Sequence, residues 1–180
     1  MGREPDPGRT VEFGCGTGYF TEVLAGRATS LVATDISEKM LGLAREKVRG
    51  MPQVEVRNEN CEKTSFADTS FDTAFLGLIF HFVDGPRTLA EMRRILRPGG
   101  TLILAVPTME GVPFPGKIRG LIRNYRAYGT FLPPGSRMCT RRSTTELLLR
   151  EGFRPDKVSL ITDPAHPGGL PCLWVRAVRM

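Results

Sequence analysis

Histidine and tryptophan are scarce in this chain, with two histidines, His81 and His166, and one tryptophan among 180 residues. Its four cysteines, Cys15, Cys61, Cys139 and Cys172, are scattered and form no C-x-x-C pair. Without closely spaced thiols or imidazoles, a structural zinc site is not expected, nor any other metal. The scattering suits reduced, mostly buried thiols in a reducing compartment. No apolar run approaches the roughly 20 residues that span a bilayer, so no transmembrane segment is expected. The opening MGREPDPGRT lacks the apolar stretch of a secretory signal. A cytoplasmic location is the default expectation. Repeats and low-complexity tracts are also missing. With 41% hydrophobic and 24% charged residues, residues 1–180 read as one ordinary globular domain.

Charge is unevenly spread. Residues 1–110 hold 13 basic and 15 acidic side chains, whereas residues 111–180 hold 12 basic and 4 acidic ones. The basic excess includes Lys117, Arg119, Arg123, Arg126, Arg137, Arg141, Arg142 and Arg150. Such a surface attracts acidic substrates, nucleic acid or membranes. With no nucleic-acid motif beside it, a solvated basic face is the plainer reading, and nucleic acid is not expected as a partner.

Along the first 106 residues, strand and helix patterns alternate. Thr10–Phe13, Leu31–Asp35, Val54–Arg57, Phe71–Gly77 and Thr101–Val106 read as strands. Tyr19–Ala25 carries Phe20, Val23 and Leu24 at helical spacing. Behind Ser37, a plausible N-cap, Met40, Leu41, Ala44 and Val48 fall on one helical face. Thr88–Leu96 turns Leu89, Met92, Ile95 and Leu96 inward until Pro98-Gly99-Gly100 stops it. Apolar strands joined by helices imply a mostly parallel sheet covered on both faces. After Val106 the rhythm breaks. Pro107–Pro115 reads as a loop, Lys117–Tyr128 as a basic helix and Ser143–Glu151 as a second helix. Val158–Thr162 and Leu173–Val178 read as an antiparallel pair joined by DPAHPGGLPC. Residues 110–142 are expected to be the most mobile part.

Between the first strand and first helix stands Glu12-Phe13-Gly14-Cys15-Gly16-Thr17-Gly18. Glycines there let the backbone turn sharply and approach a ligand closely. A dinucleotide fingerprint requires its third glycine at position 19, which is Tyr. A phosphate-binding P-loop is excluded because no Gly-Lys-Ser/Thr follows.

E-x-G-x-G-x-G after a strand resembles the first motif of class I S-adenosylmethionine-dependent methyltransferases. Three more segments follow in order. Asp35 ends the second strand, 21 residues after Gly14. Asn60-Cys61 and then Ser65-Phe66-Ala67-Asp68-Thr69-Ser70-Phe71-Asp72 are similar to the family's D-A…L-P-F-x-D-x-S-F-D. Leu96-Arg97-Pro98-Gly99-Gly100-Thr101-Leu102 is similar to its L-x-P-G-G-x-L. Within the family, the small-molecule branch with the quinone-biosynthesis C-methyltransferases looks nearest. The resemblance implies an α/β, doubly wound, seven-stranded, mostly parallel sheet of order 3-2-1-4-5-7-6 with the last strand antiparallel. It also implies a cofactor-binding half, residues 8–106, and an acceptor-side half, residues 107–180.

The implied roles follow residue by residue. Glu12, Gly14, Gly16 and Gly18 would line the methionine moiety of S-adenosylmethionine, with Cys15 and Thr17 contributing backbone. Asp35 would hold the ribose. Ile36 and Met40 would pack on adenine, Met40 serving also as core. Asn60 would read the adenine amino group, and Cys61 would offer its N–H to a ring nitrogen. Leu76 and Gly77 would border the sulfonium. Asn60 replaces the usual Asp, keeping an acceptor oxygen without the charge. Cys61 replaces a small Ala. Both cysteines are expected to be passive lining.

Acceptor-side candidates are His81, as substrate contact or base, and Tyr125, Tyr128 and His166 in the variable half. Few residues precede the glycine loop, where similar enzymes carry one or two covering helices. Three explanations stand: a truncated start, a lid from residues 110–142, or a second chain, identical or not, over the exposed side. The activity implied is methyl transfer to a small molecule. The competing readings are a non-catalytic relative acting as a partner subunit, and an RNA or protein methyltransferase using the basic half. Gly77-Leu78-Ile79-Phe80 stands where the latter class would carry an Asn-Pro-Pro-Tyr-type motif.

Overall fold

The computed structural model describes residues 7–129, 134–162 and 170–180, apart from the side chains of residues 119, 123, 124, 127 and 128. Twelve elements follow one another among them: β1 (Arg9–Phe13), α1 (Tyr19–Ala25), β2 (Ser30–Asp35), α2 (Glu38–Lys47), β3 (Val54–Asn58), β4 (Phe71–Gly77), α3 (Gly85–Ile95), β5 (Leu96–Pro107), α4 (Phe114–Tyr128), α5 (Arg141–Arg150), β6 (Phe153–Ile161) and β7 (Cys172–Arg179). The strands form one sheet of order β3-β2-β1-β4-β5-β7-β6, as the resemblance implied. The first five strands pair in parallel. β7 runs antiparallel to both β5 and β6.

The parallel strands are buried on both faces, so they read as continuous apolar runs. Val11, Phe13, Phe71, Leu76, Leu89, Met92, Ile95, Leu102 and Leu104 form the main core, none more than 1% exposed. Phe66 meets Phe71 edge to face at 4.9 Å and Phe13 at 6.5 Å. Helix starts are set by caps. Ser37 accepts from the Met40 N–H, Asp84 from the Arg87 N–H, and Thr140 and Ser143 form a reciprocal capping box.

Several boundaries differ from the sequence expectation, each for a local reason. α3 starts at Gly85 rather than Thr88, because the Asp84 cap and Pro86 in the first turn nucleate it earlier. α4 starts at Phe114 rather than Lys117, with Pro115 again in the first turn. β5 begins at Leu96, so Pro98-Gly99-Gly100 lies inside a strand, and a register shift between Phe71 and Thr73 absorbs it. A Cβ on Gly100 would stand 2.8 Å from the Arg97 carbonyl oxygen, which explains the glycine. β6 begins at Phe153 rather than Val158. It tolerates Pro155 because it is an edge strand, with a shift between Pro155 and Lys157. In α2, Leu41, Ala44 and Val48 turn inward while Met40 is 36% exposed. Met40 is therefore not core: the 3–4 spacing of the other three sets the buried stripe, and Met40 falls off its edge. In α1 the buried residues are Thr21 and Ala25, and Val23 faces solvent.

Candidate functional site

Strand order reverses between β1 and β4, whose pairing ends at Phe13 and Leu76. In open parallel sheets, ligands bind at the carboxyl ends of strands beside such a switch point. The segments singled out in the sequence converge here. The glycine loop leaves β1, Asp35 ends β2, Asn58 to Cys61 leave β3, and Gly77 to His81 leave β4.

Gly14, Gly16 and Gly18 have φ of 72°, 55° and 84°, the left-handed region that side-chain-bearing residues avoid. A Cβ on Gly14 would stand 2.2 Å from Ile79 Cγ2, so β1's exit and the segment after β4 pack on each other there. A Cβ on Gly16 would meet nothing within 4 Å. One glycine thus closes the fold, and the other leaves open space at the loop. The Cys15 N–H donates to the Thr34 carbonyl at 2.9 Å, and Gly18 N–H to the Cys15 carbonyl at 2.8 Å, fixing the turn. Thr17 is exposed at its tip.

Asp35 ties the loop to the next helix. Its Oδ2 accepts from the Gly16 N–H at 3.0 Å and its Oδ1 from the Ser37 N–H at 2.9 Å. A carboxylate offers about four acceptor positions, so two backbone bonds leave capacity for two hydroxyls. Beside it, Ile36 is 73% and Met40 36% exposed. Asn58 Nδ2 donates to the Ile36 carbonyl, holding that backbone against β3.

Glu12 is fully buried. Its Oε2 accepts from Thr21 Oγ1 at 2.6 Å, while Oε1 is buried with no partner. Burial raises its pKa to about 7, against the Thr21 hydrogen bond, and the Asp35 charge adds to the rise. Thr21 escaped the sequence reading because nothing in a T-E-V-L helix marks its threonine as inward. Burial pushes the Cys15 thiol up to about 12 and Cys61 to about 11. Both are protonated, poor nucleophiles at neutral pH. All four cysteines are free, three buried and Cys172 half-buried.

Asn60 is exposed, and its Oδ1 accepts from the Glu62 N–H at 2.9 Å, an Asx turn. One lone pair of that oxygen is thus engaged locally and one remains. Cys61 joins the main core with Phe13, Phe66 and Phe80. Leu76 is buried. Gly77 stands where a Cβ would press Phe75 at 2.8 Å and Phe20 at 2.9 Å. The next residue, Leu78, carries φ of 61° and is 43% exposed. A branched side chain held left-handed costs about 1–2 kcal/mol; the Leu78 N–H to Ala105 carbonyl bond, 2.8 Å, holds it there. No sequence signal marks that strain.

His81 is half-buried, with Nδ1 buried and unpartnered. Burial, then the Arg137 charge, lowers its pKa, so it is neutral at neutral pH. Arg137 is not solvated surface. Its N–H donates to the His81 carbonyl at 2.8 Å, its Nη2 to the Phe80 carbonyl at 2.8 Å and its Nη1 to the Val83 carbonyl, and its guanidinium lies over the Phe80 ring. Arg141, Arg142 and Arg150, by contrast, are exposed and pair at the surface with Glu110, Glu146 and Glu151. His166 lies outside the described residues, as does the Tyr128 side chain, and Tyr125 is an exposed residue of α4. A shallow hollow lined by Arg45, Val48, Met51 and Val54 sits at the far end of α2 and holds none of the predicted residues. Among the described residues no cluster of His, Cys, Asp or Glu suits a metal ion. No helix among them is long and apolar enough to cross a membrane.

A seven-stranded sheet with its last strand reversed, and a glycine loop at the β1/β4 switch, define the Rossmann-like methyltransferase fold. Residues 11–104, over half the chain, match the family model described as methyltransferase domain, and the chain belongs to that family. A demethylmenaquinone methyltransferase of Desulfitobacterium hafniense is 35% identical over 119 residues, 60% of this chain and 47% of that protein. The chain spans about half the length of the curated relatives it matches. Among solved structures, a SAM-dependent methyltransferase of Methanosarcina mazei has a TM-score of 0.75 at 20% identity, covering 98% of this chain and 94% of that one. A geranyl diphosphate methyltransferase solved with SAM has a TM-score of 0.76 at 17% identity, covering 98% and 80%. At these identities the likeness concerns the fold.

Proposed function

We propose that this chain is an S-adenosylmethionine-dependent methyltransferase acting on a small molecule in the cytoplasm. The observation that carries the reading is the open glycine loop pinned by Asp35 at the switch point. The residues fit the cofactor. Gly16 leaves room at the loop, Asp35 retains acceptor positions for the ribose hydroxyls, and Ile36 with Met40 offers an apolar shelf for adenine. Glu12 Oε1, buried and unpartnered, is an acceptor for the ammonium of the methionine end. Asn60 keeps one lone pair for the adenine amino group. Bound there, S-adenosylmethionine supplies a methyl group on a positively charged sulfur that departs as a neutral thioether under in-line attack.

The protein's share is positioning. Leu76, Gly77 and the strained Leu78 shape the wall at the end of β4. Neutral His81 can accept a proton from an acceptor hydroxyl or acidic carbon. Leu78 and Phe82, 43% and 51% exposed, give the acceptor side an apolar surface. The relatives named as demethylmenaquinone methyltransferases, and the geranyl diphosphate methyltransferase of similar fold, support a small-molecule acceptor for this chain also. The test is acceptor-dependent formation of S-adenosylhomocysteine across a panel of quinols, prenyl diphosphates and phenols. Turnover with one class supports the reading; cofactor binding with no turnover on any panel member, peptide or RNA would favour a non-catalytic role.

A further inference from the structure

Helix α4 carries an apolar face that no strand or other helix among the described residues covers. Phe114, Ile118 and Ile122 are 74%, 42% and 46% exposed. They recur at steps of four residues, so they share one side of the helix. No strand or other helix among the described residues makes a sustained contact with α4. Its sequence holds Lys117, Arg119, Arg123 and Arg126 and no carboxylate. Lys117 and Arg126 are exposed.

A bare apolar stripe in a helix of one charge sign needs an occupant that is apolar and anionic at once. We propose that α4 docks the protein on an anionic lipid bilayer, lying in the plane of the headgroups. A helix of 15 residues is about 22 Å long, too short to span the hydrocarbon and suited to the interface. Anionic headgroups take the exposed Lys117 and Arg126, which flank the stripe, while the acyl boundary takes the stripe itself. Nucleic acid satisfies the charge and leaves the stripe in water. A second copy satisfies the stripe and sets the flanking Lys117 and Arg126 against like charges. The charge polarity of the chain agrees, since residues 111–180 are strongly basic and residues 1–110 are not. α4 follows β5 at the edge that carries the glycine loop, and a Cβ on Gly120 would stand 3.2 Å from Met109 Cε in the connecting segment. Docking would therefore turn the proposed acceptor side toward the lipid, although it does not depend on that function.

The test is flotation of the full chain with phosphatidylcholine vesicles, with and without about one-third phosphatidylglycerol. The chain should float with the anionic vesicles only. It should be released when salt rises from about 0.1 to about 1 M, which shortens the screening length from about 10 to about 3 Å. Lys117→Gln with Arg126→Gln should weaken binding about 30-fold, two basic contacts' worth. Ile118→Glu with Ile122→Glu should abolish it, with circular dichroism checking that these exposed substitutions leave the fold intact. Failure to float with anionic vesicles at millimolar lipid, or equal binding to neutral ones, would overturn the proposal. So would a dimer in solution that the Ile118/Ile122 variant dissociates.

Discussion

Replacing Glu12 by Gln should change how stability responds to pH. Glu12 is buried beside Thr21, and its carboxyl ionises near pH 7 rather than 4.5. A folded-state pKa above the unfolded one means that the native state holds the proton more tightly. The resulting stabilisation is complete below about pH 4.5 and is lost as pH rises through about 7. A rise of about 2.5 units at about 1.36 kcal/mol per unit is about 3 kcal/mol in all. Most of it, about 2.5 kcal/mol, disappears between about pH 5 and pH 8. Gln cannot ionise, so its own offset, including an amide hydrogen with no acceptor, stays constant with pH. The observable is the wild-type minus Glu12→Gln difference in urea-unfolding free energy, measured at both pH values. It should shift by about 2.5 kcal/mol against the wild type on going to pH 8, or about 5–10 °C in Tm for a domain of this size. A difference that does not move with pH would refute the buried, proton-holding Glu12. A cation bound at Oε1 should favour the ionised form, so cofactor affinity should rise with pH through the same window.

Three further outcomes follow from the same geometry. Gly16→Ala should cost only about 1–2 kcal/mol of stability, the left-handed penalty alone, yet weaken S-adenosylhomocysteine binding at least about tenfold; Gly14→Ala should cost more, because Ile79 occupies its Cβ position, and parallel thermal melts and titrations separate the two. Arg94 donates to Glu91, Asp68, Thr64 and the Phe66 carbonyl, and the Glu91 pKa falls to about 2 because the hydrogen bonds it accepts from Arg94 and from Thr64 outweigh its burial; Arg94→Met should lose about 2 kcal/mol by urea unfolding at neutral pH, and less as pH falls from about 4.5 through about 2, below which Glu91 is protonated in both states. If His81 takes the acceptor's proton, the rate should rise with pH along a limb centred below 6.5, and His81→Gln should remove that limb; a limb kept in His81→Gln assigns the proton elsewhere.

The sequence order of strands and helices was readable because buried parallel strands and one-faced helices leave simple periods. Glycine spacing and the terminal Asp35 located the switch-point loop for a similar reason, since both need particular residue types. What escaped was decided by partners distant in sequence. Thr21 turns inward because Glu12 waits there, and Arg137 folds onto residues 80–83 from 54 or more positions away. Pro98-Gly99-Gly100 looked like a break and became a bulged strand because β4 accommodates the extra residues. Met40 lies beside Leu41 on the helix surface, and only the packing against the sheet decides that the buried stripe runs through Leu41, Ala44 and Val48 and leaves Met40 at its edge. The Asx turn at Asn60 depends on loop geometry that no residue type alone dictates.

The central claim is that the Asp35-pinned glycine loop binds S-adenosylmethionine, and calorimetric titration with S-adenosylhomocysteine tests it most directly. The account predicts one site with micromolar affinity, roughly −8 kcal/mol. Asp35→Asn, which keeps an oxygen for the loop, should bind at least about tenfold more weakly because the charge that holds the ribose is gone. No heat from the wild-type protein at millimolar ligand, or equal affinity in Asp35→Asn, would contradict it.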